Sequence, residues 1–426
     1  MKPRIQLALD FVNLDRAIKV AQEAADYVDI LEAGTPLIKS EGLDAVRKLR
    51  KLFPDKKIVA DMKIMDAGRV EVEAAAKAGA DIVDVCAQAS DATIAECVAA
   101  AANVGCEIIV DLIACEDVIS RAIRAQELGA DYVAVHTAID EQMQAKTPFK
   151  TVMEVASKLK IPVAAAGGIN SETAAEAAKA GAQIIIVGGA ITKDSDPAQA
   201  ARKIRKAAHT QKPLKTTLFK RDTDVRKILS SVSTSNLSDA MHRSGDLKDI
   251  KPINAGTRAC GPAVTCRSYP GDWAKPVQAI DTANPGDIIV ITTGGVGPAV
   301  WGELATESAK KKKISAVVVD GAVRDTDEIR KTGFPVYSKL ICPTAGEPKG
   351  FGEINVKINV GETAIKPGDW IVCDGDGVVV IPKEKAVEIA NRAQDILERE
   401  NRIRAEIRGG GSLGRVMHLL RWEKQV

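Results

Sequence analysis

Through its first 208 residues the chain alternates short apolar runs with alanine-rich stretches whose apolar positions recur at helical spacing. The runs are IQLALD, YVDILE, KIVAD, DIVDVC, EIIVD, YVAVH, PVAAAG and QIIIVG, and they end at Asp10, Glu32, Asp61, Cys86, Asp111, His136, Gly167 and Gly188. Successive ends lie about 25 residues apart. Eight strands at that period predict an α/β fold, a (β/α)8 barrel over residues 1–208. The turns AGAD at Ala78, LGAD at Leu128 and AGAQ at Ala180 supply a glycine where each helix can close in a left-handed cap. A doubly wound sheet is the competing architecture. It calls for a glycine-rich fingerprint after the first strand, where LALDFVN stands instead.

The rhythm stops across KAAHTQKPLKTTLFKR, a polar, basic stretch interrupted by Pro213, so residues 209–222 read as a linker. Beyond it, SSVSTSNLSDAM predicts a capped helix start. The strand-like runs DIIVITT, AVVVD, VKINV and DWIVCD, with Gly-Asp turns, predict a smaller compact α/β domain over residues 223–406. The glycines at 409–411 open a Gly-rich tail over residues 407–426, expected to lack order.

Composition narrows the function classes. With 59 basic and 57 acidic residues the net charge is +2, which gives no global field to draw nucleic acid or an anionic membrane surface. The basic block at Lys310 to Lys313 reads as a solvated helix end. The eight cysteines form no CxxC pair, and several sit in apolar runs, so reduced thiols and a cytoplasmic protein are expected. No segment reaches the ~20 apolar residues of a membrane span, and Asp10 and Asn13 interrupt the first apolar stretch where a signal peptide would lie.

In a barrel enzyme the C-terminal ends of the strands carry the chemistry, which makes Asp10, Glu32, Asp61, Lys63, Asp111 and His136 candidates for one pocket. Each has a bland alternative: Asp10 as a helix cap, Asp111 in a salt bridge, His136 as a core histidine. Glu32 and Asp61 are hard oxygen ligands of the kind Mg2+ accepts. Lys63, two residues after Asp61, adds a positive charge suited to an enediolate, and His136 is the natural proton carrier. A Schiff-base role for Lys63 is the alternative, disfavoured by carboxylates that would keep the amine protonated. The turns Gly167-Gly168 and Gly188-Gly189 fall after the seventh and eighth runs, where barrels often place a phosphate.

The motifs LALD, LEAGTP, ADMKIMDAG, VDLI, VAVHTAID, AAGGI and IVGGAIT, in this order, resemble 3-hexulose-6-phosphate synthase of the orotidine 5'-phosphate decarboxylase suprafamily. Its DxKxxD motif is met by Asp61, Lys63 and Asp66. The resemblance implies an aldol reaction between formaldehyde and ribulose 5-phosphate that depends on Mg2+ (or Mn2+). It further implies Glu32 and Asp61 on the metal, Lys63 on the enediolate, His136 moving protons, and Asp66 lent across a dimer interface. Two sister activities stand as alternatives. Orotidine 5'-phosphate decarboxylase shares DxKxxD without a metal, and LEAGTP argues against it. The 3-keto-L-gulonate 6-phosphate decarboxylases resemble a pattern with Arg three residues after the histidine, where Ile139 stands here, followed by Asp140.

In the second domain, Gly295, Val296 and Gly297 follow a strand, and their amides are candidates to receive a carboxylate. Arg324 offers a bidentate grip on a carboxylate, and Asp325 is a candidate metal ligand; a plain salt bridge from Arg324 to Asp325 or Asp327 is the alternative. GGVGPAVWGELAT and VVVDGAVRDTDEI resemble the family uniting 4-hydroxy-4-methyl-2-oxoglutarate aldolase with regulator of ribonuclease activity A. Its aldolase branch shows an acid, twenty intervening residues, then Arg-Asp; Glu303 and Arg324-Asp325 fit that spacing, with Glu where Asp is commoner. The resemblance implies a trimer with a divalent metal between subunits acting on an oxoacid, or protein binding without catalysis. A barrel dimer and a C-terminal trimer in one chain would permit a hexamer.

Overall fold

The structure is a computed structural model that describes residues 2–216 and 218–416. The chain divides into two compact units: one holds Met1–Lys220 and the residues from Asn401, the other Arg221–Glu400.

Among the described residues of the first unit, β1 (Arg4–Leu9), β2 (Ile30–Ala33), β3 (Lys57–Ile64), β4 (Ile82–Cys86), β5 (Glu107–Asp111), β6 (Tyr132–His136), β7 (Val163–Ala166) and β8 (Ile184–Val187) close into a parallel barrel. The closing pair is β1 with β8, in the register Arg4↔Ile184 to Leu7↔Val187. Because side chains alternate along a strand, each run splits into two apolar sets. Leu7, Leu31, Val83, Val85 and Val110 point outward to small helix residues such as Ala17, Ala21, Ala75 and Ala100, which let the helices pack close. Ile30, Val59, Ile82, Ile109, Tyr132, Ala134, Ala164 and Ile184 fill the barrel interior. Helix ends follow the local chemistry: Ser90 accepts the Thr93 amide to start Asp91–Val104, and Gly105, at φ 75°, ends it.

Five strand ends differ from the pattern-based boundaries, β2, β7 and β8 by a single residue; those of β1 and β3 bear on the site. β1 stops at Leu9, leaving Asp10 in the loop, while β3 runs past Asp61 to Ile64. It does so through an irregularity: Ala60 pairs with Val83 and Ile64 with Val85, so β3 carries extra residues between those pairs. Lys63 lies inside that bulge at φ 50°, a left-handed conformation that costs a non-glycine residue about 1–3 kcal/mol.

In the second unit the described residues form β9 (Lys251–Pro252), β10 (Ala259–Ser268), β11 (Ile288–Thr292), β12 (Ala316–Val323), β13 (Val336–Ile341), β14 (Gly352–Ile354), β15 (Ile358–Val360), β16 (Thr363–Ile365), β17 (Trp370–Cys373) and β18 (Val378–Ile381). Their main sheet has the order β18-β17-β10-β11-β12-β13-β9, with β14 also on β10, and β15-β16 is a separate hairpin. The predicted cap is present: Ser233 and Asn236 form a reciprocal capping box on the helix Thr234–Ala240. The predicted boundary at residue 406 is not a break, since one helix runs from Ala386 to Arg408 and a further turn covers Leu413–Val416. Residues 417–426 of the expected tail lie outside the described residues.

Candidate active site

The apolar interior of the barrel turns polar one step up five strands, β2 to β6. Two residues beyond Ile30, Val59, Ile82, Ile109 and Ala134 come Glu32, Asp61, Asp84, Asp111 and His136, so the period of two aims all five at one pocket. The four carboxylates are only 2–7% exposed. Buried charges of one sign demand partners.

Lys63 is the shared partner. Its Nζ lies 2.5 Å from Asp61 Oδ1, 2.8 Å from Asp111 Oδ2 and 3.5 Å from Asp84 Oδ1. Asp61 is braced on its other side by Thr35, whose amide and hydroxyl donate to Oδ2 at 3.1 and 2.7 Å. Asp111 Oδ2 also meets His136 Nδ1 at 2.9 Å, and its Oδ1 accepts the Ile113 amide at 2.9 Å. Deeper in the barrel, Gln6 Nε2 donates to Glu32 Oε2 at 2.5 Å, while Gln6 Oε1 is buried without a hydrogen-bond partner.

Electrostatics follow from this crowding. Burial disfavours the Lys63 ammonium, but Asp84, Asp111 and Asp61 outweigh it and hold its pKa above the ordinary value. This keeps Lys63 charged and rules against the Schiff-base alternative. Burial, then Asp61 and Asp10, push Glu32 well above the usual carboxylate range. Asp84 is pushed well up by burial despite Lys63. Burial also works against Asp111, yet His136 and Lys63 overcome it and hold its carboxyl down at about 2. Cys86, two residues above Asp84, has its thiol pushed up to about 12 by burial and Asp84, so it is no nucleophile. All eight cysteines are free thiols.

Asp10 reaches the same mouth from the loop after β1. Burial by the surrounding wall, with Asp61 adding, raises its carboxyl. Gly34 and Gly188 make room for it: a Cβ on Gly34 would strike Asp10 Oδ1, and one on Gly188 would lie 3.3 Å from Oδ2. Gly167 and Gly168 follow β7 at φ 104° and 67°, and a Cβ on Gly167 would sit 2.6 Å from the Thr137 carbonyl. Gly188 precedes the short helix Gly189–Thr192, and a Cβ on Gly189 would meet only the Lys193 side chain. Asp66 stands apart from the cluster, exposed, with Oδ1 accepting the Ala67 amide at 2.7 Å.

In the second unit, Asp325 takes φ 56° just after β12 and its Oδ2 accepts the Glu303 amide at 3.3 Å. Arg324 Nε lies 3.6 Å from the same oxygen, both side chains being exposed. Glu303 therefore meets Asp325 through its backbone. Of the amides at Gly295, Val296 and Gly297, that of Gly295 donates to the Asp320 carbonyl at 3.3 Å, because the turn folds back on β12. Beneath it lies a polar group that the motif reading missed: Asp320 accepts Thr292 Oγ1 at 2.8 Å, with Lys339 Nζ 4.0 Å away. Among the described residues, no three His, Cys, Asp or Glu side chains converge in an arrangement ready to hold a metal. No helix among them is long and apolar enough to cross a membrane.

A closed eight-stranded barrel whose strand ends gather an Asp-x-Lys-x-x-Asp segment defines the class: residues 3–204 match the family described as orotidine 5'-phosphate decarboxylase / HUMPS, and the chain belongs to it. It is an enzyme, and the barrel is similar to lyases named 3-hexulose-6-phosphate synthase. The Mycobacterium gastri protein of that name is 42% identical over 204 residues, 48% of this chain and 99% of the relative. That of Bacillus subtilis (strain 168) is 41% identical over 202 residues, 47% of this chain and 96% of the relative. A crystal structure of 3-hexulose-6-phosphate synthase covers 48% of this chain and 99% of its own, at 42% identity and a TM-score of 0.47. Residues 234–380 match the family described as RraA-like, Aldolase/RraA. The RNA-processing inhibitor RraA from Thermus thermophilis is 27% identical, covering 35% of this chain and 93% of its own at a TM-score of 0.34.

Proposed function

We propose that the barrel joins formaldehyde to C1 of D-ribulose 5-phosphate, giving 3-hexulose 6-phosphate, and runs the reverse cleavage. The observation that carries this reading is the single ammonium of Lys63, set among Asp61, Asp84 and Asp111 with His136 alongside. A base takes the proton from C1, and the C–H electron pair becomes the enediolate double bond. C1 then attacks the formaldehyde carbon, whose carbonyl electrons move to oxygen and take up a proton. His136, oriented through Nδ1 by Asp111, moves these protons, and Lys63 stabilises the enediolate oxygens. Gly167, Gly168, Gly188 and Gly189 receive the phosphate, and Asp66 is lent from a neighbouring subunit.

Glu32 and Asp61 would hold Mg2+, or Mn2+. The residues fit such an ion: both carboxylates are buried beside Asp10, Glu32 is driven up by that crowding, and the Gln6 oxygen nearby has no partner. A bound cation there would polarise the two substrate oxygens that share the enediolate charge. The exposed aliphatic Ile139 stands where the keto-gulonate decarboxylase pattern has a cation, which favours the synthase.

Purified chain incubated with ribulose 5-phosphate, formaldehyde and Mg2+ should consume formaldehyde, and Asp61→Ala and His136→Ala should each lose about a hundredfold or more. Unchanged turnover in both variants would sink this assignment.

For the second unit the reading is a metal-assisted oxoacid aldolase or decarboxylase site, with Arg324 gripping the substrate carboxylate and Asp325 and Glu303 near a divalent metal. Its support is the adjacent, exposed Arg324–Asp325 pair at the end of β12. With oxaloacetate or a 4-hydroxy-2-oxoacid and Mg2+ the chain should release pyruvate, and Arg324→Ala should abolish it. If no pyruvate appears and RNA processing responds to the added chain, the unit is a protein-binding module.

A further inference from the structure

Asp84 belongs to none of the motifs that mark the barrel mouth. It is the middle residue of IVDVC, an otherwise apolar strand, and it is only 5% exposed. Register places it deeper than Asp111 and level with Asp61, which follows the pair Ala60↔Val83. Asp84 pairs with Ile109 and Cys86 with Asp111, so Asp84 lies one inward-facing layer below Asp111.

The three carboxylates around Lys63 are not equivalent. Asp61 divides its oxygens between Lys63 and Thr35, and Asp111 serves Lys63, His136 and the Ile113 amide. Asp84 Oδ1 is buried, makes no hydrogen bond and faces Lys63 Nζ from 3.5 Å. A buried, unpaired carboxylate oxygen is costly, and apolar or hydroxyl side chains would fill a barrel interior without that cost. Lys63, meanwhile, stands on a bulged, left-handed stretch of β3, so the ladder does not fix where its long side chain ends.

Resting on the reading of the barrel given above, we infer that Asp84 is a positioning residue for the enediolate step. Its carboxyl, 3.5 Å from Lys63 Nζ, holds the ammonium in place while Asp61 and Asp111 also serve other groups. It touches no substrate and acts through Lys63. The inference concerns the first half of the reaction, removal of the C1 proton, and can therefore be read without formaldehyde.

The test is deuterium wash-in at C1 of ribulose 5-phosphate in D2O with Mg2+, followed by proton NMR on the full chain and on Asp84→Asn. That variant keeps the side-chain volume and removes the charge. The expected result is an exchange rate constant at saturation lowered about tenfold or more, with KM within about twofold and Tm not lowered. Asp84→Glu, which restores the charge, should recover part of the rate. An unchanged rate, or a loss matched by a fall in Tm and not recovered by Asp84→Glu, overturns the inference in favour of a purely structural carboxylate. If the unsubstituted chain itself shows no exchange, the reading of the barrel fails. The crystal structure of Asp84→Asn then decides the positioning claim: Lys63 Nζ displaced from Asp61 and Asp111 supports it, and Nζ unmoved overturns it.

Discussion

Asp111 Oδ2 lies 2.9 Å from Nδ1 of His136, which fixes that nitrogen as the hydrogen-bonded one and leaves Nε2 to face the pocket. Asp111→Asn keeps the shape but can present an amide N–H to the ring and favour the wrong tautomer. The expected loss in kcat is on the order of a hundredfold or more, with little change in KM, measured by steady-state formaldehyde consumption. The same carboxyl has a stability signature. Its pKa falls on folding, from the usual 3.8 to about 2, so its contribution is fully present above about pH 4 and lost as the pH drops towards about 2. Acid unfolding curves of the two proteins should therefore differ most above about pH 4 and converge near about pH 2.

Glu32 carries the opposite sign. Burial, Asp61 and Asp10 raise its carboxyl on folding, so the folded state favours the protonated form and is penalised as the pH rises past the ordinary value of 4.5. Glu32→Gln should then raise Tm by a few degrees at pH 8 and by less at pH 5, while abolishing synthase activity. Mg2+ should raise the Tm of the unsubstituted chain and not that of the variant. Scanning calorimetry at both pH values checks it, and a lower variant Tm at pH 8 would contradict the electrostatic account.

The two glycine turns predict unequal costs. At Gly167 a methyl group would combine a φ of 104° with a 2.6 Å approach to the Thr137 carbonyl, so Gly167→Ala should cost about 2 kcal/mol or more. At Gly189 it would meet only the flexible end of Lys193, so Gly189→Ala should cost under about 1 kcal/mol. If both turns hold the phosphate, each variant should still raise KM for ribulose 5-phosphate. Urea unfolding and steady-state kinetics separate the two effects.

Asp66 is exposed and is not among the carboxylates that pair with Lys63, which gives the proposed dimer a complementation test. Asp66→Ala and Lys63→Ala should each be inactive alone. Co-expressed in equal amounts, about half the dimers are mixed and one of their two sites is intact, so about a quarter of full activity should return. No recovery in dimers shown to be mixed would place Asp66 in its own site or outside the chemistry.

Much of this was readable from spacing alone. The eight runs became eight strands because parallel barrel strands are buried on both faces and read as apolar blocks, and five of the six mouth candidates lie on β2, β3, β5 and β6, with Asp10 in the loop after β1. Asp84 was missed because it is an interior position of a run, where attention to strand ends does not fall. Its signal was present as a charge two residues after Ile82, on the inward parity. Gln6 was missed for the same reason, being a polar residue in a strand's middle. In the second unit the long strand β10 was hidden by Gly261 and Pro262, residues that argue against a strand. Gly261 is there because the Gly286 carbonyl occupies the space a Cβ would need. Such close approaches belong to the packed sheet and leave no periodicity along the chain.

The one ammonium among Asp10, Glu32, Asp61, Asp84 and Asp111 has a thermodynamic consequence for the ligand. A sugar phosphate adds two negative charges to a cavity in which Lys63 is already outnumbered by the acids around it, and Glu32 and Asp84 hold protons more tightly than ordinary carboxylates. Entry of the substrate and uptake of positive charge, as protons or as a cation, therefore form one linked equilibrium. Isothermal titration in two buffers of different ionisation enthalpy would count the protons taken up. Saturating Mg2+ should reduce that count.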